Sequence, residues 1–422
     1  MKASSFFRNV GLFAAASTVS RVIAALSVLI LTRLYDPSDF GMLSMVSSIA
    51  MVAGPLVTLR YAAAIPLPRT QLSARGLIAL SFLLAAGCSL LFGIALFILF
   101  RTAVFSVAEL SSPVVVLLVP LSVFLYAVQD IYGSVLVRER AFSVSAVASI
   151  LHSLIGETFK IAFGLFGANG IGLVAGNQVG YVLATTFVVR QRWTLVVGLF
   201  DGLTIRNLRR VIRCYLQFPL YRVPSHALMS VSAQFPIFFT ALRYDLALTG
   251  QLGLAISLIA LPVQLLGRTI SSVHYGEIAT FGRKRPEEVH RLTIRLIGIM
   301  ALIGIFPAAG LLAFGPAIFT IAFGRKWQLA GEFCSVLAPA VFFQVLQITS
   351  SNIFDLYSAQ RTAFLLNIQR SILVIGTILL ADFGGLAAVM VIQAYSVAVS
   401  LHYLISLMVA YRYSRGRRDK GP

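Results

Sequence analysis

Apolar residues along this chain collect into long runs bounded by charge, glycine and proline, and twelve of these runs are long enough to cross a membrane. They cover about 8–33, 40–65, 76–100, 112–137, 143–166, 170–190, 211–240, 247–273, 291–315, 330–357, 361–381 and 385–411. Each predicts a transmembrane α-helix. The longest hydrophilic connections, near 191–210 and 274–291, are too short for a soluble domain. The first run carries Arg21 and outlasts a signal-peptide core, so it is expected to remain as an uncleaved helix.

Composition agrees: 58% of the 422 residues are hydrophobic and 12% are charged, well outside the range of soluble domains. The net charge of +19 invites a nucleic-acid reading, which the placement of the charges excludes. They lie in small clusters between the apolar runs. With both termini inside, 22 Lys and Arg fall on inner segments and 5 on outer ones, which sets the cytoplasmic side and supports an even number of spans. Cys88, Cys214 and Cys334 lie too far apart for a disulfide framework or a metal site and are expected to pack. No cofactor is implied.

The outer turn after the first span, "LTRLYDPSDFGMLS", has a counterpart after the seventh. Tyr35, Asp36, Gly41 and Leu43 recur as Tyr244, Asp245, Gly250 and Leu252, at an offset of 209 residues. Pro55 and Arg60 recur, with one or two residues of slippage, as Pro262 and Arg268. Two six-helix halves follow, related as a parallel pseudo-repeat around a central cavity. The expected organisation is a lobe over 1–195, a cytoplasmic linker over 196–210, a second lobe over 211–411 and a basic tail over 412–422.

Seven basic residues fall inside the predicted spans: Arg21, Arg60, Lys160, Arg222, Arg268, Arg295 and Arg370. A central Arg or Lys costs about 2.5 to 3.5 kcal/mol to insert, so such residues normally face a water-filled cavity or a partner. Glu157 and Asp355 are the expected acids within spans, and Glu157 lies one helical turn from Lys160. Asp355 and Arg370 are candidates for ion coupling or a structural pair, as Glu157 and Lys160 are. Arg21 is placed near mid-membrane, Arg60 and Arg268 toward the cytoplasmic side, where snorkelling to the interface would equally account for them, and Arg222 between Pro219 and Pro224. An excess of fixed arginine predicts an anionic ligand, and diphosphate fits guanidinium groups best. Gly172, Gly176 and Gly180 form a small-residue stripe for close helix packing, and His152, His226 and His402 read as structural. No catalytic motif is present.

Four stretches together carry a family resemblance: "LTRLYDPSDFGMLSM", "FPLYRVPSHALMSVSAQFPIFF", "TGQLGLAISLIALPVQLLGRTISSV" and "FGRKWQLAGEFCSVLAPAVFFQVLQ". In order and spacing the chain resembles the bacterial polysaccharide flippases of the Wzx type, within the multidrug/oligosaccharidyl-lipid/polysaccharide exporter superfamily. The resemblance implies twelve helices in two lobes and a lipid-linked oligosaccharide, carried on undecaprenyl diphosphate, as substrate. It places the protein in the bacterial inner membrane, as a monomer among membrane lipids, working beside polysaccharide polymerase machinery. It also implies head-group arginines at Arg21, Arg60 and Arg268, although relatives often carry glutamine at the last position. A small-molecule exporter of the same superfamily and a membrane polymerase or ligase are the competing readings.

Overall fold

The computed structural model describes residues 3–101, 113–193, 203–282, 285–348 and 350–415, together with Gly198 and Asp201. The basic tail beyond Arg415 lies outside the described residues, as do parts of the 196–210 linker and the side chain of Arg268. Fourteen α-helices are present among the described residues, without a strand. They are α1 (Ala3–Leu34), α2 (Pro37–Val57), α3 (Gln71–Arg101), α4 (Pro113–Arg138), α5 (Phe142–Leu165), α6 (Gly170–Gln191), α7 (Ile205–Cys214), α8 (Val223–Arg243), α9 (Leu246–Phe281), α10 (Pro286–Phe323), α11 (Gln328–Gln347), α12 (Ser350–Leu356), α13 (Gln360–Phe383) and α14 (Ala388–Ser414).

Eleven segments among the described residues are long and apolar enough to cross a membrane. The remaining predicted span corresponds to α8, which has 21 residues but carries Ser225, His226, Ser230, Ser232 and Gln234. This is a multi-pass membrane protein. Its outward faces carry the signature of lipid contact: Leu90, Leu91 and Phe97 on α3, and Leu302, Phe306 and Ile321 on α10, are all exposed. At 1.5 Å per residue the 36-residue α9 and 38-residue α10 reach about 54 and 57 Å, longer than a hydrocarbon core of about 30 Å.

Three predicted spans are cut short or divided. The second span was expected to run to residue 65, but α2 stops at Val57 and gives way to a 3-10 turn over Tyr61–Ala64. Pro55 removes one backbone donor, and its carbonyl accepts Thr58 Oγ1 at 3.0 Å instead of continuing the ladder. The seventh span was expected to start at 211. The chain instead forms α7, which ends at Cys214, then a π-helical turn over Phe218–Arg222 framed by Pro219 and Pro224, then α8. The tenth divides into α11 and α12. Of the cysteines, Cys334 is buried and Cys88 partly so, whereas Cys214 is exposed at the end of α7.

The chain forms two compact units, Met1–Gly250 and Gln251–Pro422. In the first, α1 packs on α5, α5 on α6, and α2 on α4, α6 and α8. The repeated elbow explains part of this packing. Tyr35 is buried and donates its hydroxyl to the Lys160 carbonyl on α5 at 2.7 Å. Burial, with Asp39 nearby, pushes that hydroxyl up to about 12, so it stays a donor. Asp39 accepts the Asp36 amide at 2.9 Å and the Gly170 amide at 2.6 Å, fixing the starts of α2 and α6 together. Asp245, the counterpart of Asp36, caps α9 directly by accepting the Leu248 amide at 2.6 Å.

The two elbow glycines meet the opposite copies. A Cβ on Gly41 would collide with the Leu246 carbonyl, and one on Gly250 with the Pro37 carbonyl. Leu246 follows Pro37 by the same 209 residues that separate the glycines, so the two contacts are equivalent under the repeat. Only glycine allows the backbones this close.

In the second unit α11 packs on α10 and α14, and α14 also covers α12 and α13. Gly315 on α10 and Gly331 on α11 cross there, each with a backbone carbonyl 2.5 Å from where the other's Cβ would be.

Candidate functional site

Arg60 sits where α2 has ended. Leu59 and Arg60 both have positive φ, 48° and 58°, a left-handed conformation unusual for residues with side chains. The guanidinium is therefore mounted on a broken helix end rather than on a regular helical face. One of its terminal nitrogens lies 3.7 Å from Asp130 Oδ2 on α4. That is an ion pair beyond hydrogen-bond range. Arg60 Nε and Asp130 Oδ2 are both buried with no hydrogen-bond partner.

Two further side chains complete the cluster. Tyr126 lies one turn before Asp130 on α4 and shares its electrostatic field with both charges. Its ring rests on bare backbone at Gly54, where a Cβ would come within 2.7 Å of it. His226 on α8 lies close enough to feel the Arg60 charge, and its buried Nε2 has no partner. Sequence reading overlooked Asp130, although it lies inside the predicted span 112–137, and left His226 isolated. The expectation that Glu157 and Asp355 are the acids within spans is corrected by Asp130.

The other predicted residues are placed differently. Lys160 Nζ meets Glu157 Oε1 at 2.6 Å, with both side chains about a tenth exposed (9% and 11%). The glycine stripe of α6 lies against this region of α5: a Cβ on Gly176 would strike Lys160, and one on Gly180 would strike Gly156 and the His152 carbonyl. The His152 ring stacks on Tyr181 at 4.1 Å. Asp355 is exposed and accepts Gln360 Nε2 at 3.0 Å, whereas Arg370 lies over the Tyr403 ring at 5.9 Å. Among the described residues those two do not pair. Arg222 is exposed on the π-helical turn, over Phe218 at 5.3 Å. Arg21 is half-buried on α1. Among the described residues no group of three His, Cys, Asp or Glu could hold a metal.

A family model described as "Polysaccharide biosynthesis protein" matches residues 30–332, which hold both repeated elbows and the whole Arg60 cluster. The chain belongs to this family. No curated protein matches it in sequence. Solved structures share its fold at low identity. The lipid II flippase MurJ, in an inward closed conformation, is 15% identical with a TM-score of 0.71 over 96% of this chain and 90% of that one. A MATE transporter in complex with MaL6 is 16% identical with a TM-score of 0.63, over 99% and 98%. A MOP superfamily transporter from Pyrococcus furiosus, described by the reverse polarity of its binding pocket, is 15% identical with a TM-score of 0.60, over 99% and 98%. This family member therefore has the twelve-helix, two-lobe architecture of the MOP superfamily.

Proposed function

We propose that the protein is a flippase that moves undecaprenyl-diphosphate-linked oligosaccharide from the inner to the outer leaflet of the bacterial inner membrane. Its product would feed O-antigen, capsule or exopolysaccharide assembly, in company with polymerase machinery. Both termini lie in the cytoplasm, as the distribution of Lys and Arg requires. The lobes over 1–195 and 211–411 rock in alternating access, arginines take the diphosphate, and the prenyl tail remains in lipid. No covalent chemistry is involved.

One observation carries this reading: within a polysaccharide biosynthesis family member, Arg60, just past the end of the α2 span, is held with an unused buried guanidinium N–H and only a distant carboxylate. Guanidinium stays charged under all physiological conditions and its planar donors suit phosphoryl oxygens. A lipid II flippase shares the fold, which makes a lipid-linked anion a natural cargo. Arg21 is assigned to the same headgroup, with Arg268 and Arg222 as further contacts.

The test is genetic and chemical together. Deleting the gene should accumulate undecaprenyl-linked oligosaccharide in the inner leaflet, and Arg21→Ala or Arg60→Ala should fail to restore export while still accumulating in the membrane. Normal surface polymer with Arg60→Ala would remove the assignment. Polymer formed by the purified protein alone would replace the flippase by a polymerase.

A further inference from the structure

Beside Arg192 with Glu139 at 2.9 Å, near the end of α6, the first unit holds two further ion pairs that differ in ways a shared structural role would not produce. Glu157 and Lys160 touch at 2.6 Å, with 11% and 9% of their side chains exposed, and α6 closes over the lysine at Gly176. They are adjacent on one helix, and nothing can enter between them without unpacking α5 from α6. Arg60 and Asp130 are 3.7 Å apart, 18% and 30% exposed, and come from different elements. Their contact is end-on through one terminal nitrogen, with Arg60 Nε and Asp130 Oδ2 left without hydrogen bonds. The bidentate geometry that would make this pair strong is not adopted.

We propose that Asp130 is an internal counter-ion that occupies Arg60 while the site is empty and that the anionic headgroup displaces. The inference rests on the proposed role of Arg60 as a headgroup ligand. An arginine waiting for an anion in a membrane needs a negative charge during the wait, because an unpaired buried charge costs several kcal/mol. A well-formed salt bridge would supply that charge but would also hold the arginine too tightly to give it up. A carboxylate at 3.7 Å supplies the charge and leaves donor directions open for phosphoryl oxygens. Arg60 is also free to change partner, since the helix has stopped at Val57 and its backbone belongs to a short irregular connection.

The displaced carboxylate has somewhere to go. Tyr126 stands one turn away on the same face of α4 and can donate its hydroxyl to Asp130 once Arg60 has turned to the ligand. His226 on α8 lies near enough to Arg60 to feel its charge, and its buried Nε2 has no partner. The return exchange matters equally for transport. After translocation Asp130 competes for Arg60 again and helps to expel the headgroup, so binding and release use one pair of competing anions.

The exchange predicts an inverted mutant phenotype. Removing an acid near a cationic site should tighten anion binding and yet slow transport, because release loses its competitor. Binding of undecaprenyl diphosphate to the purified full-length protein in detergent, together with flipping in proteoliposomes, reads both. Asp130→Asn is expected to bind at least about fivefold tighter and to turn over more slowly, a coupling of the size two linked sites commonly show. Asp130→Glu keeps the competing charge and should bind within about threefold of the natural protein. Arg60→Ala should weaken binding by about tenfold or more, and adding Asp130→Asn to it should restore nothing.

The two readings fail separately. If Arg60→Ala binds normally, the headgroup role of Arg60 is wrong. If Arg60→Ala binds poorly and Asp130→Asn binds no better than the natural protein, Arg60 keeps its role and the counter-ion proposal falls. A second readout needs no removal of charge and so survives any instability of Asp130→Asn. Adding undecaprenyl diphosphate to the natural protein should shift a carboxylate stretch in the infrared difference spectrum, and Asp130→Glu should move that band. Binding without any carboxylate change would overturn the proposal.

Discussion

The two compact units differ in where they hold ion pairs. The first unit adds ion pairs, Arg60 with Asp130 and Glu157 with Lys160, to neutral bonds between its helices such as Gln178 to Ser122 at 2.7 Å, Ser48 to Gln234 at 2.9 Å and Gln129 to Thr185 at 3.0 Å. The second uses neutral hydrogen bonds: Gln347 to Ser406 at 2.9 Å, His402 with Gln369 at 2.8 Å, and a chain linking Ser271, Asn352, His274 and Thr293. Its ion pair among the described residues, Arg285 with Glu288, is exposed at the start of α10. Arg370 is the exception, a cation set against the Tyr403 ring. Neutral groups that satisfy each other hold helices together without a large penalty in either direction. Charges in the same setting are costly when parted, and that cost suits a part of the molecule that exchanges an ionic ligand. Within the first unit the same contrast recurs between a pair that is closed and a pair that is open.

The sharpest way to break this comparison is to part the closed pair. Lys160→Ala leaves Glu157 buried opposite an empty space, and should cost about 3–5 kcal/mol of stability. Replacing both together, as Glu157→Leu with Lys160→Met, should return the protein to within about 1 kcal/mol of its natural stability, because no charge remains to be solvated. Thermal unfolding in detergent measures both. Equal losses in the single and double variants would mean that the pair is more than structural, and the distinction from Arg60 and Asp130 would disappear.

Much of this was legible in the chain itself, for physical reasons that differ between elements. The spans could be read because lipid demands length and apolarity, and the elbow because Tyr35, Asp36 and Gly41 return as Tyr244, Asp245 and Gly250. The meeting of Gly41 with Leu246 and of Gly250 with Pro37 gives that repeat a cause that spacing alone could not reveal. Glu157 and Lys160 were visible as neighbours on one helical turn. Asp130 was not matched to Arg60, since the 69 residues between them carry no periodicity that would pair them. Arg60 was misplaced as well: hydropathy passes smoothly through Thr58, whereas the backbone there turns left-handed. Hydropathy also missed α7, in which four arginines share one face and Val211 is buried on the other.

A milder effect belongs to the neutral side. Asn352 donates to the Ser271 carbonyl at 2.7 Å and to His274 Nδ1 at 3.2 Å, and accepts the Ser271 hydroxyl at 3.1 Å. Asn352→Ala leaves several buried partners unmade and should cost about 1–3 kcal/mol, with headgroup binding unchanged. Lost binding in a variant that still melts cooperatively would move ligand recognition into the second unit and undo the division.

The smallest expected effect is a pH dependence, and its sign follows from the hydrogen bonds. His274 lies beyond the apolar stretch Leu246–Gln264 of α9. Thr293 gives its hydroxyl hydrogen to the Val289 carbonyl at 2.7 Å, so toward His274 Nε2, at 3.0 Å, it can only accept. Nε2 therefore carries the proton, and Nδ1 accepts from Asn352. A second proton on Nδ1 would face the Asn352 amide hydrogens, donor against donor. Burial further lowers His274 to about 4, from an ordinary value near 6.5. Between those values the unfolded chain binds a proton that the folded chain does not, so stability rises with pH across that window and is lost as pH falls from about 6.5 toward 4. Above about 6.5 this group contributes no slope. His274→Gln should flatten the part of the melting-temperature profile that lies between those limits, leaving Glu157 and Lys160 in place. An unchanged profile would show that the imidazole is not held neutral, and the neutrality of the second unit's network would fail at its central residue.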